Sequence, residues 1–572
     1  MSFPTGREPT MPDKENGPWN PGIYSQVPKE LRHLATIFRP ENVFTSVAAA
    51  SELRGLTGFN LSELVVFRPQ RLVLHELLVR VTADFAVPDG TRIADLGLNF
   101  REIARQLLSR HLEPAMDTLI AAYRRASRDA NDIIEPALSR LHRNWGPQEI
   151  GEFEEIAGAA ANAAGAAAYK SLARVMSALF TTQGAAWGTK DLIASMAAAM
   201  VSNDYGSDCV GQAIAPLLLA AAREHGYKLL PRQEHPVVIN TKGPSASGKS
   251  TLRPLQKKLA GAIGLQWSDF ALISPDIWRK QLLDYASLGE AYKYAGAFTS
   301  DEVQIIDQKL DRYMASKNRR GEMSHLLIDR FRFDSFAPDS AEAGSNFLTR
   351  FGQTVYLFFV ITPPEMLVER AWKRGLEFGR YKAVDDTLAH SVEAYSGIPD
   401  VFFTWVRRGD KRIQFEFLDN TVRLGERPRT VAFGDNETLN VLDVKATLDI
   451  DRYARIDVDA TAPQYLYPDP KLLAAENNVD FLSRCVKSFQ WVNFAEQGSG
   501  QVYLRIERGR AMQMERSAFE KAIQSPDTLA AIRAVAPAAL TGDVPEAPRA
   551  ALLHEMSGRG LPPTLGRWGP LP

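Results

Sequence analysis

The feature that most restricts what this chain can fold into is the run GPSASGKS at residues 243–250. It fits G-x-x-x-x-G-K-[ST]. It directly follows the apolar run PVVIN (236–240) and directly precedes a helix-like segment at 251–262. Strand, loop, helix is the setting in which this pattern cradles phosphates. Backbone N–H groups of the loop and of the helix start converge on an anion. Gly243 and Gly248 let the backbone turn and approach closely with no Cβ in the way. Pro244 has no N–H to offer, and Ser245, Ala246 and Ser247 complete the loop. Lys249 places a charge on the β- and γ-phosphates, Ser250 offers a hydroxyl to Mg²⁺, and Thr251 opens the helix. These nine residues are the expected ATP and Mg²⁺ site.

The loop sits in a region of alternating texture. Between residues 235 and 420 the runs PVVIN (236–240), FALIS (270–274), HLLID (325–329), VYLFFVI (355–361) and IQFEFLD (413–419) are separated by helical patterns. That alternation predicts an α/β core, a mostly parallel five-stranded sheet with helices on both faces. Runs without polar alternation suit strands buried on both sides.

A length of 572 residues predicts two to four domains. Residues 1–27 are rich in Pro and Gly and read as a disordered leader. Residues 28–230 read as a mainly α-helical domain, with apolar residues at helical spacing between 99 and 128 and an alanine-rich stretch of packed helices from 151 to 222. Residues 64–81 suit strand or helix. The α/β core takes 231–420. A small α+β region follows at 421–540, with a few strands at 429–459 and a strand then a helix at 501–523. Residues 541–572 read as a loosely ordered tail.

Several classes are excluded or disfavoured. Lys+Arg is 67 against Asp+Glu 68, a net charge of −1, which argues against nucleic acid as a partner. Two cysteines, Cys209 and Cys485, make no disulfide framework, and no Cys/His spacing suggests a structural zinc site. No run is apolar enough to span a membrane, and no secretory signal opens the chain. The expected location is cytoplasmic, with export lacking a cleaved signal left open.

Four further groups of residues suggest chemistry. Asp276 and Arg279 follow the second run, in ISPDIWRK, where a carboxylate can take the proton of a substrate hydroxyl and an arginine can hold substrate. A helix cap is the structural alternative for Asp276. Asp329 ends the third run, at the position where an acid orients Mg²⁺ or meets substrate. Arg370, Lys373 and Arg374 share a helix face after the fourth run, and Arg380 follows. Such a cluster suits a lid over transferring phosphates, and a solvated basic face is the plain alternative. TSDE at 299–302 has capping-box spacing before Val303, Ile306, Leu310 and Tyr313.

This order of loop, D-x-x-R, acid and Arg-rich segment, with FEFLDN at 415–420, resembles the zeta-toxin-like P-loop kinases over residues 235–420. The resemblance implies transfer of the γ-phosphate of ATP to a hydroxyl of a small, nucleotide-linked molecule, of UDP-amino-sugar or NAD-like kind. It implies Lys249 and Ser250 for phosphate and Mg²⁺, Asp276 as base, and Arg370 and Arg374 as lid charges. SPDIWR stands where G-D-E-F-R is expected, and DRF (329–331) where acid-G-T is expected; both lie on the substrate side. The alternatives are an ATP-gated interaction or regulatory protein, with a protein partner or antitoxin-like regulator, and a polynucleotide 5′-hydroxyl kinase.

Overall fold

Each of the five apolar runs folds as a strand in the computed structural model, which describes residues 16–92, 94–329, 348–423, 425–547, 551–556 and 560–569. They are β1 (Val237–Lys242), β2 (Phe270–Ile273), β3 (His325–Asp329), β4 (Thr354–Ile361) and β5 (Arg412–Asp419). All four pairings are parallel, in the order β5-β4-β1-β3-β2. Ile239 sits opposite Leu327 on one side and Tyr356 on the other. Successive strand residues point to opposite faces, yet every residue from Val355 to Ile361 is buried. Both faces of the sheet are therefore covered, as the unbroken apolar runs predict. Parallel strands place all five carboxyl ends on one edge, where ligand crevices form.

The chain divides into two compact units. The first takes Met1–Gln26, Pro231–Ser274 and Met314–Pro572; the second takes Val27–Leu230 and Pro275–Tyr313.

In the first unit the sheet does not stop at β5. Strands β6 (Arg429–Asp435), β7 (Thr438–Val441), β8 (Trp491–Ala495), β9 (Gln501–Glu507) and β10 (Arg510–Met514) extend it, and β11 (Ala551–Leu552) pairs with β9. Residues 421–540 thus continue the α/β sheet instead of forming a sheet of their own. The reason is local: β6 pairs antiparallel with β5 and covers an edge that would otherwise expose unpaired backbone groups. The stretch 429–459 holds β6, β7 and then the helix Val444–Tyr453. Between 501 and 523 a hairpin, not one strand, precedes the helix Arg516–Ala522.

The described part of the tail is packed. Leu565 and Gly566 donate backbone N–H groups to the buried Glu416 carboxylate at 2.6 and 2.9 Å, and the Trp568 ring lies 4.9 Å from Phe433. A buried carboxylate needs such donors, and the tail supplies them. Of the leader, residues 1–15 lie outside the described residues, while Trp19 packs on Val368, Leu388 and Ile456.

The core of this unit is aromatic. Phe359 on β4 stacks on Phe417 of β5 at 4.7 Å. Phe402, from the helix Val384–Val406, lies 4.8 Å from Phe415, 5.1 Å from Phe417 and 5.7 Å from Phe481. Phe402→Ala is expected to destabilise this unit by about 3–5 kcal/mol, read as a lower urea midpoint.

The second unit is helical. Its residues 64–81 resolve as helix: Pro69–Asp84 follows a short turn, Leu61–Leu64. The Pro69–Asp84 helix is buried on every side from Leu72 to Ala83, so its His75, Glu76 and Arg80 must find partners within the unit. They do. Ser207 donates to Glu76 at 2.7 Å, and Arg80 donates to the carbonyl of Gly211 at 2.8 Å. His75 Nε2 lies 2.7 Å from Glu302, and Lys309 donates to Ser207 at 2.7 Å. Arg71 holds both oxygens of Glu302. Burial, then Lys309, lowers His75 to about 4, so it is neutral. Burial opposes ionisation of Glu302, but Arg71 outweighs it and holds the carboxyl well below its usual range. The segment at 299–302 opens a helix as its spacing predicts, Ser300–Arg319, and Glu302 within it faces Arg71 and His75, while the Thr299 hydroxyl bonds back to Ala295 at 3.0 Å. These bonds also explain why Pro275–Tyr313 packs with the helices and not with the sheet residues flanking it in sequence. Elsewhere the alanines bring helices close. Leu172, Met176 and Leu179 of Ala163–Gln183 pack with Ile193, Met196 and Met200 of Lys190–Val201. Among the described residues no helix is long and apolar enough to cross a membrane.

Candidate functional site

The loop lies between β1 and a helix whose first turn is tight. Lys249–Leu252 is 3₁₀, and Arg253–Ala262 continues as α-helix. Two glycines are required by space. A Cβ on Gly243 would meet the carbonyl oxygen of Val360 at 2.9 Å, which is backbone and cannot turn aside. Gly248 has φ +92°, and a Cβ there would fall 2.3 Å from Asn420 Nδ2. Ala246 holds φ 65° without being glycine, at a cost of about 1–2 kcal/mol. Such strain persists only where the surroundings over-determine it.

The surroundings do so through one atom. The carbonyl oxygen of Ser247 accepts from Asn420 Nδ2 at 2.7 Å, Thr362 Oγ1 at 3.3 Å and Arg370 Nη1 at 3.4 Å. Thr362 follows β4 and is fixed by Tyr395, whose hydroxyl both accepts from its N–H and donates to its carbonyl at 2.8 Å. Asn420 follows β5. Arg370 also donates to the Asn420 carbonyl at 2.7 Å. Burial pulls the Arg370 guanidinium below its usual value, with Asp419 opposing. Arg370 thus ties the loop carbonyl of Ser247 to the end of β5.

Lys249 Nζ donates to the carbonyls of Gly243 and Pro244, both at 2.9 Å. Ser250 Oγ donates to Asp329 Oδ2 at 3.0 Å. A hydroxyl from the helix start and a carboxylate from the end of β3 form the hard-oxygen set that suits Mg²⁺. Arg253 stands 4.0 Å from the same carboxylate oxygen. Thr251 Oγ1 donates to the Gly248 carbonyl at 2.6 Å and closes the turn, so its role is to shape the loop.

Arg370, Lys373 and Arg374 do lie on one helix, Pro364–Phe378, and Arg380 follows its Gly379 cap, half-buried. Lys373 is exposed. Arg374 and Lys249 both act electrostatically on a residue that sequence reasoning missed, Lys382. Burial, together with Arg374 and Lys249, lowers Lys382 to about 8, with Asp386 opposing at 3.6 Å. Like charges gathered in a poorly hydrated place call for an anion. An arriving polyphosphate favours charged Lys382, raises its pKa and draws in a proton. ATP binding near pH 8 is therefore expected to take up protons, read as a binding heat that changes with the ionisation enthalpy of the buffer. Lys382→Met should reduce that uptake.

Asp276 and Arg279 belong to the second unit, in the turns Pro275–Trp278 and Arg279–Leu282. Arg279 Nε donates to Asp276 Oδ1 at 2.8 Å, and Arg279 also donates to the Gly296 carbonyl at 2.6 Å and to Thr299 Oγ1 at 2.8 Å. Asp276 keeps half its side chain exposed (51%). Phe331 lies outside the described residues.

Thr362 and Asn420 were within reach of sequence reasoning, because each is the polar residue that ends an apolar run, the same signal that picks out Asp329. Lys382 carries no such signal.

No protein-family model matches the chain, and no curated protein matches it either. Among solved structures, a chain of the PezAT chromosomal toxin–antitoxin system of Streptococcus pneumoniae is similar at 16% identity, over 38% of this chain and 78% of that one, with a TM-score of 0.25. A score that low carries no argument about fold or activity.

Proposed function

We propose that this chain is an ATP-dependent kinase that transfers the γ-phosphate to a hydroxyl of a small, nucleotide-linked molecule, of UDP-amino-sugar or NAD-like kind. The observation that carries the reading is the Ser250–Asp329 pair at 3.0 Å, set beside Lys249 at the carboxyl edge of a parallel sheet. The loop and helix start bind phosphate oxygens through backbone N–H groups. Lys249 exchanges its two loop carbonyls for phosphate oxygens. Ser250 and Asp329 hold the cation, and Mg²⁺, when bound, neutralises charge on the β- and γ-phosphates. Arg374 and Lys382 add positive charge where the transferred group carries its negative charge. The substrate oxygen bonds to the γ-phosphorus as the bond to the bridging oxygen of ADP breaks, and Asp276 takes the hydroxyl proton. Arg279 and Arg380 are the proposed substrate contacts.

Incubation with γ-labelled ATP and a metabolite extract, followed by mass spectrometry, tests the reading. A small molecule that gains one phosphate supports it. ATP turnover that responds only to an added protein would replace it with a nucleotide-gated switch.

A further inference from the structure

We propose that His111, Glu224 and His225 form a binding site for a divalent transition metal, zinc foremost, within the helical unit. The three residues offer one ligand atom each, and these atoms all lie within 4.8 Å of one another. His111 Nε2 and His225 Nε2 are 2.9 Å apart, and a Glu224 carboxylate oxygen lies 4.0 Å from His225 Nε2.

The spacing can be tested against coordination geometry. Zinc–nitrogen bonds are about 2.0–2.1 Å long. Two nitrogens separated as these are would subtend about 90° at a shared ion, a cis pair in octahedral geometry. A tetrahedral site asks for about 3.3 Å, reached by moving the rings apart by a few tenths of an ångström. Glu224 is 66% exposed and turns its carboxylate without disturbing the core. Two imidazoles and one carboxylate, with open positions for water, are a donor set of intermediate softness. That set suits zinc, cobalt or nickel and does not suit Mg²⁺.

Two features of the fold favour a cation at this place. His225 is the last residue of the helix Ser207–His225, which Gly226 ends at φ 67°. His111 lies in the π turn Leu108–Leu112 that closes the helix Asp95–Leu107. Both histidines therefore stand at helix carboxyl ends, where the unsatisfied carbonyls carry partial negative charge. The π turn adds a residue to the helix and sets the direction of His111, and such turns recur at functional sites. The rings are held edge to face, with centroids 5.1 Å apart at 80°, and Tyr227 packs 5.6 Å from His225. About 85% of the His225 side chain is covered, while Glu224 is exposed.

The competing account is a plain hydrogen bond between two neutral imidazoles, one donating and one accepting. Metal titration separates the two. The full-length protein, stripped with a chelator and dialysed, is titrated with ZnCl₂ by calorimetry and with CoCl₂ by visible absorption, with MgCl₂ as control. One zinc per chain at micromolar affinity, with a cobalt spectrum of nitrogen and oxygen ligation, is expected. His111→Ala and His225→Ala should each weaken this event by about a hundredfold, and Glu224→Gln by about tenfold. Circular dichroism checks that each variant folds. Glu224 is exposed, so Glu224→Gln carries the test if a histidine variant does not fold. No zinc uptake by the wild type, or uptake unchanged in Glu224→Gln and the folded histidine variants, overturns the proposal in favour of the hydrogen bond.

Discussion

Lys249→Ala is expected to abolish phosphoryl transfer while the protein stays folded. In the structure this lysine donates to the nearby loop carbonyls of Gly243 and Pro244. Both carbonyls can bond to water once the side chain is gone, so the stability cost is about 1 kcal/mol. The transition state has no such substitute. Charge on the transferring group would be met by fixed cations, and removing one costs at least about 10²–10³ in rate. The nearby Lys382 and Arg374 do not replace it, because neither is anchored on the loop. Activity within a few-fold of wild type, measured as substrate-dependent ADP release, would remove the phosphate-loop assignment. An unchanged thermal midpoint shows that lost activity is not lost fold.

Asp276→Asn is expected to slow transfer by about 10²–10⁴-fold with ATP affinity nearly unchanged. Asp276 follows the end of β2 by three residues and belongs to the second unit. Its carboxylate accepts from Arg279, which is itself held by the Gly296 carbonyl and Thr299. Asparagine keeps an oxygen for Arg279 and keeps the ability to cap a helix, but it cannot take a proton. The substitution therefore removes basicity and little else. A normal rate rejects the catalytic role and leaves Asp276 as a brace for Arg279. Lost ATP affinity would instead assign it to the metal or to support of the loop. One initial rate and one dissociation constant decide among the three.

The parts of the protein legible in the sequence are those written in neighbouring residues. The five strands of the parallel sheet follow from unbroken apolar runs, and β3 matches its run, HLLID, residue for residue. The strand–loop–helix setting of residues 243–250 follows from two glycines, a lysine and a serine at fixed spacing. Asp329 follows from its place at the end of a strand, and the structure sets it against Ser250. Long-range contacts decide where a local pattern has a rival. TSDE satisfies a capping box, yet burial of Glu302 beside Arg71 and His75 is worth more than a cap at a helix end. The tail looked loose from its prolines and glycines, yet Glu416 in the β5 interior needs its backbone donors.

By itself, then, the sequence determined that this chain sets a loop of phosphate-cradle pattern on a parallel sheet, because both depend on periodicity and on short-range backbone geometry. The tertiary structure alone decided what holds that cradle in shape. Thr362, Arg370 and Asn420 meet at the carbonyl of Ser247 although more than a hundred positions separate each of them from it. It alone decided that Pro275–Tyr313 joins the helices and that the strands after β5 extend one sheet. Such choices turn on which buried charge finds a partner and which strand edge needs cover. Those needs are met by residues distant in the chain, so no window of sequence records them.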